Sequence, residues 1–549
     1  MLIISDSLQT RLYMKIQLAT ITALLIFMTL PLSGQTLITL PDDYNLLDGL
    51  EGTIVELRQR LYVVDNSNWN RYGEVVLASE RLLQPTEIAL PASVEYFSQK
   101  EHNSQCTIVL DDGSDDKYPT PRPWASADGT LRCGAYTTHL VGRLTNESWG
   151  YTITPTQTVT FENNTRPTST EIDADYDVKI CGFNLEYYMV DDFSTSVGPE
   201  NQTEADRQHN KISKALKAIG ADVFGLVEVQ QGNEAAQKLV AQLNSDFPDR
   251  HYTYIADGTQ MNGTWTRACF IYRDDILIAL REQQSDNTGV RYRKKVQGFE
   301  MKSSGERFIV MLGHFKAKSG TGTGDNADQN DGQGIYNGDR TREAAAMVTL
   351  GRSCQTYYSD PDLIMMGDLN SYSREDPIRC FTSAGYRNMI KHFGGDTAYS
   401  YRYRTTVGCL DHALANASMA QQMVECRPFH INTDEPSVFG YDGYDYQNNM
   451  YRSSDHDPII AYIKLDRTAS ATNEPHTVSP IVYTGHGIVG IAGADSRTLH
   501  IYTADGRLIE QHYITSADFT LTTDHLTQGI YIFRITTPTT ASCHKVVVE

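Results

Sequence analysis

The sequence is poor in tryptophan, with four residues against 32 tyrosines, and it lacks an excess of positive charge. Its 47 Lys and Arg stand against 68 Asp and Glu, a formal net charge of −21. Polynucleotide affinity gained by blanketing phosphates with cationic side chains needs a basic footprint, so this balance opposes that mode of binding. An enzyme that meets one phosphate at a time through a bound divalent cation remains open, because carboxylates are the ligands a hard cation requires. The nine cysteines include no Cys-x-x-Cys pair of the zinc type. No internal repeat is evident, and outside the N-terminus no apolar run is long enough to suggest a membrane span.

What is present begins with an export signal. Arg11 and Lys15 precede the apolar run from Leu18 to Leu32, and the small residues Ser33 and Gly34 follow. Residues 1–34 therefore read as a signal peptide cleaved near Gly34–Gln35, with Met14 as an alternative start. The run is shorter than the roughly 20 residues of a comfortable span. Export permits disulfides. Cys106 with Cys133 is a candidate pair, Cys354, Cys380, Cys409 and Cys426 lie together in the central region, and the odd total leaves at least one thiol free.

At about 150 residues per domain, 549 residues predict three or four units. Residues 40–165 read as an all-β domain, OB-like among the options, because short β-branched segments (52–57, 60–64, 73–77) alternate with Asn, Asp and Gly turns. The polar stretch 163–170 reads as a linker. Residues 176–466 then mix apolar strands with helical spacing, as at Ile212, Leu216 and Ile219, and predict an α/β or α+β domain with a buried sheet. A second polar linker follows, and residues 480–549 return to β texture with a hairpin signal at Asp505-Gly506, predicting a small sandwich.

The central region places polar residues at the ends of apolar strands repeatedly. Asn184 ends 178–184, Glu228 ends 223–228, His314 ends 308–314, and Asp368 and Asn370 follow 363–367. Asp411-His412 follows a short apolar run, and Ser454-Asp455-His456 precedes the strand 459–463. Each segment alone is a turn, a helix cap or a satisfied structural histidine. Six of them in one domain predict strand termini converging on one rim.

Their order and spelling resemble the endonuclease/exonuclease/phosphatase superfamily, the DNase I-like fold, over roughly residues 176–466. Gly367-Asp-Leu-Asn370, Leu410-Asp-His412 and Ser454-Asp-His456 carry the resemblance, while 313–318 and 331–340 look most like secreted bacterial extracellular nucleases. Residues 63–74 also resemble the region that precedes the nuclease domain in those proteins. The resemblance implies an α+β, four-layer α/β-sandwich catalytic domain flanked by small all-β N- and C-terminal domains. It implies Glu228, Asn184 and Asp455 around a divalent metal, Mg²⁺ with Mn²⁺ or Ca²⁺ as substitutes. His456 would be the base that deprotonates water, Asp411 its orienting partner, and His314, Asp368 and Asn370 would act on the phosphoryl group or the metal shell. A nucleic acid, DNA before RNA, is the expected substrate of a monomer with no stable membrane insertion. Other phosphoesters, including phospholipids, remain the alternative, and a non-catalytic binding protein the more distant one.

Residues 502–507, 526–534 and 545–549 resemble a type IX secretion sorting domain, which would make that machinery a partner and the cell surface or medium the destination; an accessory binding sandwich is the alternative. Two weaker features remain. The basic run Arg291–Lys295 is read as either a polynucleotide contact or a solvated hairpin tip. The loop 320–339, with Asp325, Asp328, Asp331 and Asp339, fits no EF-hand spacing and reads as flexible, with structural Ca²⁺ as the alternative.

Overall fold

In the computed structural model the described residues are 35–257, 264–290, 292–465, 481–485, 488–492, 497–515, 518–523, 525–536 and 541–548. The expected signal peptide and the second linker lie outside them.

Two six-stranded sheets form the centre. The first runs in the order Tyr252–Tyr254, Thr266–Arg273, Val223–Gln230, Val178–Tyr188, Ile459–Ile463, Met423–Pro428. The second runs Leu277–Ser285, Lys294–Met301, Arg307–His314, Leu363–Asp368, Asp411–Ala415, Arg387–Asn388. Their inner faces share one core, in which Ile180, Val223 and Phe270 of the first sheet join Val310, Met366 and Ala413 of the second. Val223–Gln230 and Leu363–Asp368 are buried along their whole length and Val178–Tyr188 everywhere but at Glu186 and Tyr187, which explains why they read as continuous apolar runs rather than alternating ones.

Helices cover both outer faces. Gln202–Ile219 and Glu234–Asp246 bury Ile212, Leu216, Ile219 and Leu239 against the first sheet. The longer helix starts where Asn201 caps the Glu204 N–H and stops at Gly220 in the left-handed conformation. Asn337–Tyr358 and Asp376–Ser383 cover the second sheet with Met347, Val348, Ile378 and Phe381. Helix, sheet, sheet and helix make the expected four-layer α/β sandwich.

The region before it holds an eight-stranded sheet between Thr36 and Pro155. It is β-rich but not purely β, since Val94–Gln105 is a helix begun by Ser93, whose side chain accepts from the Tyr96 N–H. The polar stretch 163–170 is not a free tether: Arg166 pairs with the buried Glu435, and Thr170 is buried with its carbonyl accepting from the Tyr462 hydroxyl. At the other end, a three-stranded and a four-stranded sheet close a small sandwich around Val489, Ile491, Leu499, Ile501 and Phe533.

The candidate disulfides do not form, and all nine cysteines are free thiols. Cys106 packs with Val64, Ala78 and Leu82, whereas Cys133 belongs to a separate core cluster with Leu61, Val63 and Leu131. Closeness in sequence had suggested the pairing, and the packing separates the two residues.

Candidate active site

The sheet register explains why the polar strand ends meet. In the second sheet Gly313, Gly367 and His412 are lateral neighbours, and one step further His314, Asp368 and Asp411 form a row across three strands. Gly367 is held at φ +122°, and a Cβ there would come within 2.1 Å of the Gly313 carbonyl oxygen. Only glycine suits that close approach, which accounts for its place immediately before Asp368.

In the first sheet Asn184 lies beside Val227, just where the pairing of the two strands slips. The slip leaves Glu228 at φ +60°, with Glu186 and Tyr187 also left-handed. Such irregularities re-aim side chains, and left-handed non-glycine residues mark backbone held in place by its surroundings. The turned Tyr187 N–H donates to Glu228 Oε2 at 2.9 Å, and the Glu186 N–H donates to Asn184 Oδ1 at 3.0 Å.

His456 and Asp455 arrive on the loop before Ile459–Ile463. The Ser454 hydroxyl donates to the Asn184 carbonyl at 2.7 Å, and the His456 carbonyl accepts from Asn432 Nδ2 at 2.6 Å. His456 Nδ1 lies 2.7 Å from Asp411 Oδ2, which also accepts from the Ser400 hydroxyl at 2.9 Å. Its Nε2 faces Asp368 Oδ2 at 3.9 Å, and the Tyr401 ring packs over the imidazole at a centroid distance of 4.5 Å. Asp368 Oδ2 accepts from Asn184 Nδ2 at 3.1 Å and Asn370 Nδ2 at 3.2 Å. His314 Nε2 completes the group, 3.5 Å from Glu228 Oε1 and 3.6 Å from Asp368 Oδ2. Every sequence-expected site residue is therefore on this one rim.

The electrostatics follow from crowding carboxylates in a buried place. Burial, then Asp455 and Asp368, push the Glu228 carboxyl up to about 7. Burial lifts Asp368 as well, with His456 opposing and Asp411 adding to the rise. For His456, burial alone favours the neutral ring, but Asp411, Asp455 and Asp368 outweigh it and hold the imidazole well above its usual value. His314 goes the other way, pushed well below by burial and by Arg293. At neutral pH its contacts with Glu228 and Asp368 are thus those of a neutral ring.

A site with this much uncompensated negative charge suits a cation. Glu228, Asn184 and Asp455 offer hard oxygen donors, the set expected for Mg²⁺ or Mn²⁺. Asp368, Asp411 and His456 also gather closely, and Asp411 Oδ1 is buried without a hydrogen-bond partner. That trio includes a histidine already committed through Nδ1 to Asp411. Elsewhere Glu80, His102 and Cys106 cluster, but His102 Nε2 meets Glu80 at 2.7 Å and the Cys106 sulfur at 3.4 Å. Hydrogen bonds account for that group, and burial keeps its thiol protonated.

The sequence marks Arg293 only as part of a basic run. Its Nη1 lies 3.5 Å from His314 Nδ1, and its Nε is buried without a partner. The rest of the run that is described is not a polynucleotide surface: Lys294 pairs with the buried Glu343 and Lys295 with Asp257. Ser400 and Tyr401 carried no local signal. In the loop 320–339 Asp325 and Asp339 pair with Arg342, while Asp331 and Asp328 accept from Gln333 and Asn330. Its acidic residues are thus engaged with protein donors.

A family model described as the endonuclease/exonuclease/phosphatase family matches residues 182–456, half of the chain, and the protein belongs to that family. Its members hydrolyse phosphoester bonds and generally use divalent metals. A second model, the secretion system C-terminal sorting domain, matches residues 485–549 and marks the protein for type IX secretion to the cell surface or the medium. Among the described residues no helix is long and apolar enough to cross a membrane. Similar solved structures include an endonuclease/exonuclease/phosphatase from Bacteroides vulgatus, at 15% identity over 53% of this chain and 99% of that one, TM-score 0.36. The human Nocturnin catalytic domain with bound sulfate is 14% identical over 53% and 94%, TM-score 0.37. TDP2 from C. elegans is 11% identical over 52% and 75%, TM-score 0.34. No curated protein matched the chain.

Proposed function

We propose that the protein is a secreted, divalent-metal-dependent phosphodiesterase that hydrolyses nucleic acid, DNA in preference to RNA, and acts as a monomer. The observation that carries this reading is the 2.7 Å pair of His456 Nδ1 and Asp411 beside a buried set of oxygen donors. A phosphodiester repels anionic nucleophiles, so its hydrolysis needs charge neutralised, water deprotonated and the leaving alkoxide supported.

His456, in its neutral form, takes the proton of the attacking water at Nε2, and a divalent cation on the neighbouring carboxylates would favour that form by offsetting the negative charge that raises its proton affinity. Asp411, engaging Nδ1, fixes the tautomer and stabilises the imidazolium that forms. Ser400 holds the carboxylate in that orientation, and the Tyr401 ring holds the imidazole plane. Neutral His314 and the guanidinium of Arg293 meet the phosphoryl oxygens. Asn370 and Asn184 keep Asp368 turned toward the same point. Glu228, Asn184 and Asp455 would hold the divalent cation, which supplies neutralisation of phosphate charge and support for the leaving oxygen. By the family pattern, in-line attack leaves a 5′-phosphate and a 3′-hydroxyl.

The test is a substrate panel. Purified protein is incubated with plasmid DNA, RNA, a phosphomonoester and sphingomyelin vesicles, in Mg²⁺ or EDTA. Mg²⁺-dependent cleavage of DNA, slower cleavage of RNA and no activity in EDTA are expected. Hydrolysis confined to the lipid or the monoester would move the protein to another substrate class within the family.

A further inference from the structure

The residues assigned to chemistry lie at the ends of the central strands or on the loops beside them, and those loops are held from outside. The segment Leu82–Ala92 of the N-terminal region touches three of those loops. The Val407 N–H donates to the Leu82 carbonyl at 2.8 Å, and the Gln84 N–H donates back to the Val407 carbonyl at 2.9 Å, so this segment adds a short parallel bridge ahead of Asp411. The Thr86 hydroxyl donates to Glu375 at 2.9 Å, and the Thr86 carbonyl accepts from the Arg374 N–H, beyond Asp368 and Asn370. The Ala92 N–H donates to the Asp331 carbonyl at 3.0 Å, in the long loop after His314.

Glu87 is the centre of this contact. Its side chain is fully buried in the catalytic region. Oε2 accepts from the Cys409 N–H at 3.0 Å and the Ser373 N–H at 3.3 Å, while Oε1 accepts from the Ser373 hydroxyl and meets Lys391 Nζ at 2.6 Å. One carboxylate thus ties the backbone two residues before Asp411 to the loop three residues after Asn370. The two loops are also joined directly, since the Leu369 N–H donates to the Leu410 carbonyl at 2.9 Å. Gly408 makes room for the approach: a Cβ there would lie 3.0 Å from Glu87 Oε2 and 2.7 Å from the Tyr372 ring.

We propose that Glu87 is a positioning residue for the active site, and that the N-terminal region is a working part of the enzyme because it sets the spacing of Asp411 from Asp368 and Asn370. The proposal rests on the phosphodiesterase reading above. A buried carboxylate that takes four donors from three segments fixes those segments closely, because each donor left unmatched costs free energy. Small displacements of catalytic groups by distant substitutions can lower rates by about 100-fold.

The test compares Glu87→Ala, Glu87→Gln and Val55→Ala in the full chain. Val55 lies in an N-terminal core cluster that includes no residue of these loops, so it reports general destabilisation. On DNA, Glu87→Ala should lower kcat by roughly 10- to 100-fold with KM little changed. Glu87→Gln keeps the shape and an acceptor for Cys409 and should recover most of that loss. Amide exchange should quicken at 369–373 and 407–411 in Glu87→Ala but not in Val55→Ala. A folded Glu87→Ala with wild-type kcat and exchange overturns the proposal, as does an equal fall in kcat for Val55→Ala. If Glu87→Ala does not fold, Ser373→Ala removes one donor to the same carboxylate: a several-fold fall in kcat supports the proposal and an unchanged kcat overturns it. If the wild-type protein cleaves no phosphoester, the functional reading fails, and the exchange comparison alone decides the role of Glu87.

Discussion

The N-terminal sheet and the C-terminal sandwich are both β-rich, yet they meet the rest of the chain differently. The sandwich closes a core made of its own residues, from Val489 to Val548. The N-terminal sheet shares its core with Val438 and Phe439 of the catalytic region. It also faces two buried carboxylates there: Glu435 meets Arg132 at 2.7 Å and Arg166 at 2.6 Å, and Asp434 meets Arg81 at 2.8 Å. Buried charges of this kind are tolerated only with their partners in place. One flanking region is therefore an address label with its own core, and the other is joined to the enzyme by groups that neither side can leave unpaired.

Truncation should give the largest effect. Removing residues 466–549 should leave a folded protein with the wild-type rate on DNA. Removing residues 1–170 should expose Phe439 and strand Glu435 and Glu87's partners, giving insoluble or inactive protein. Yield and rate for the two truncations check this, and an active protein lacking residues 1–170 would dissolve the distinction.

A smaller effect is expected from Arg132→Ala. It removes one of the two cations on Glu435 and a donor to the carbonyls of Thr165 and His430. The loss should be roughly 3 kcal/mol in urea unfolding. The exposed pair of Lys217 and Asp246 should cost under about 1 kcal/mol when Lys217 becomes Ala.

Between these two in size lies an effect of pH. Burial pushes the Asp434 carboxyl up, but Arg81 and Arg132 overcome it and bring it down to about 2. A carboxyl depressed in the folded state stabilises fully above its unfolded value near 4, and that stability is lost as pH falls toward 2. The contribution is on the order of 2 kcal/mol. Thermal unfolding from pH 5 to 2 should show a steeper fall for wild type than for Asp434→Asn.

Much of the site was legible because its signal is local. An apolar strand that ends in Asp368 or His314 announces both its burial and its polar tip. The glycine before Asp368 reports a close approach that only the register with Gly313 makes visible. What escaped is non-local. Ser400 reaches Asp411 across a turn, and Glu87 reaches Cys409 from more than 300 residues earlier, with nothing in either neighbourhood to mark it. The polar stretch 163–170 looked like a tether because polarity alone does not distinguish a solvated side chain from one paired with a buried carboxylate. Lys294 and Lys295 misled in the same way, since their partners Glu343 and Asp257 are distant in sequence.

In the proposed reaction the oriented imidazole of His456 performs the proton transfer. Single-turnover cleavage of plasmid DNA by His456→Ala, with its fold checked by thermal unfolding, tests it most directly. The expected rate is lower by at least about 100-fold at saturating Mg²⁺, with DNA binding retained. A folded His456→Ala protein that cleaves at the wild-type rate would contradict it.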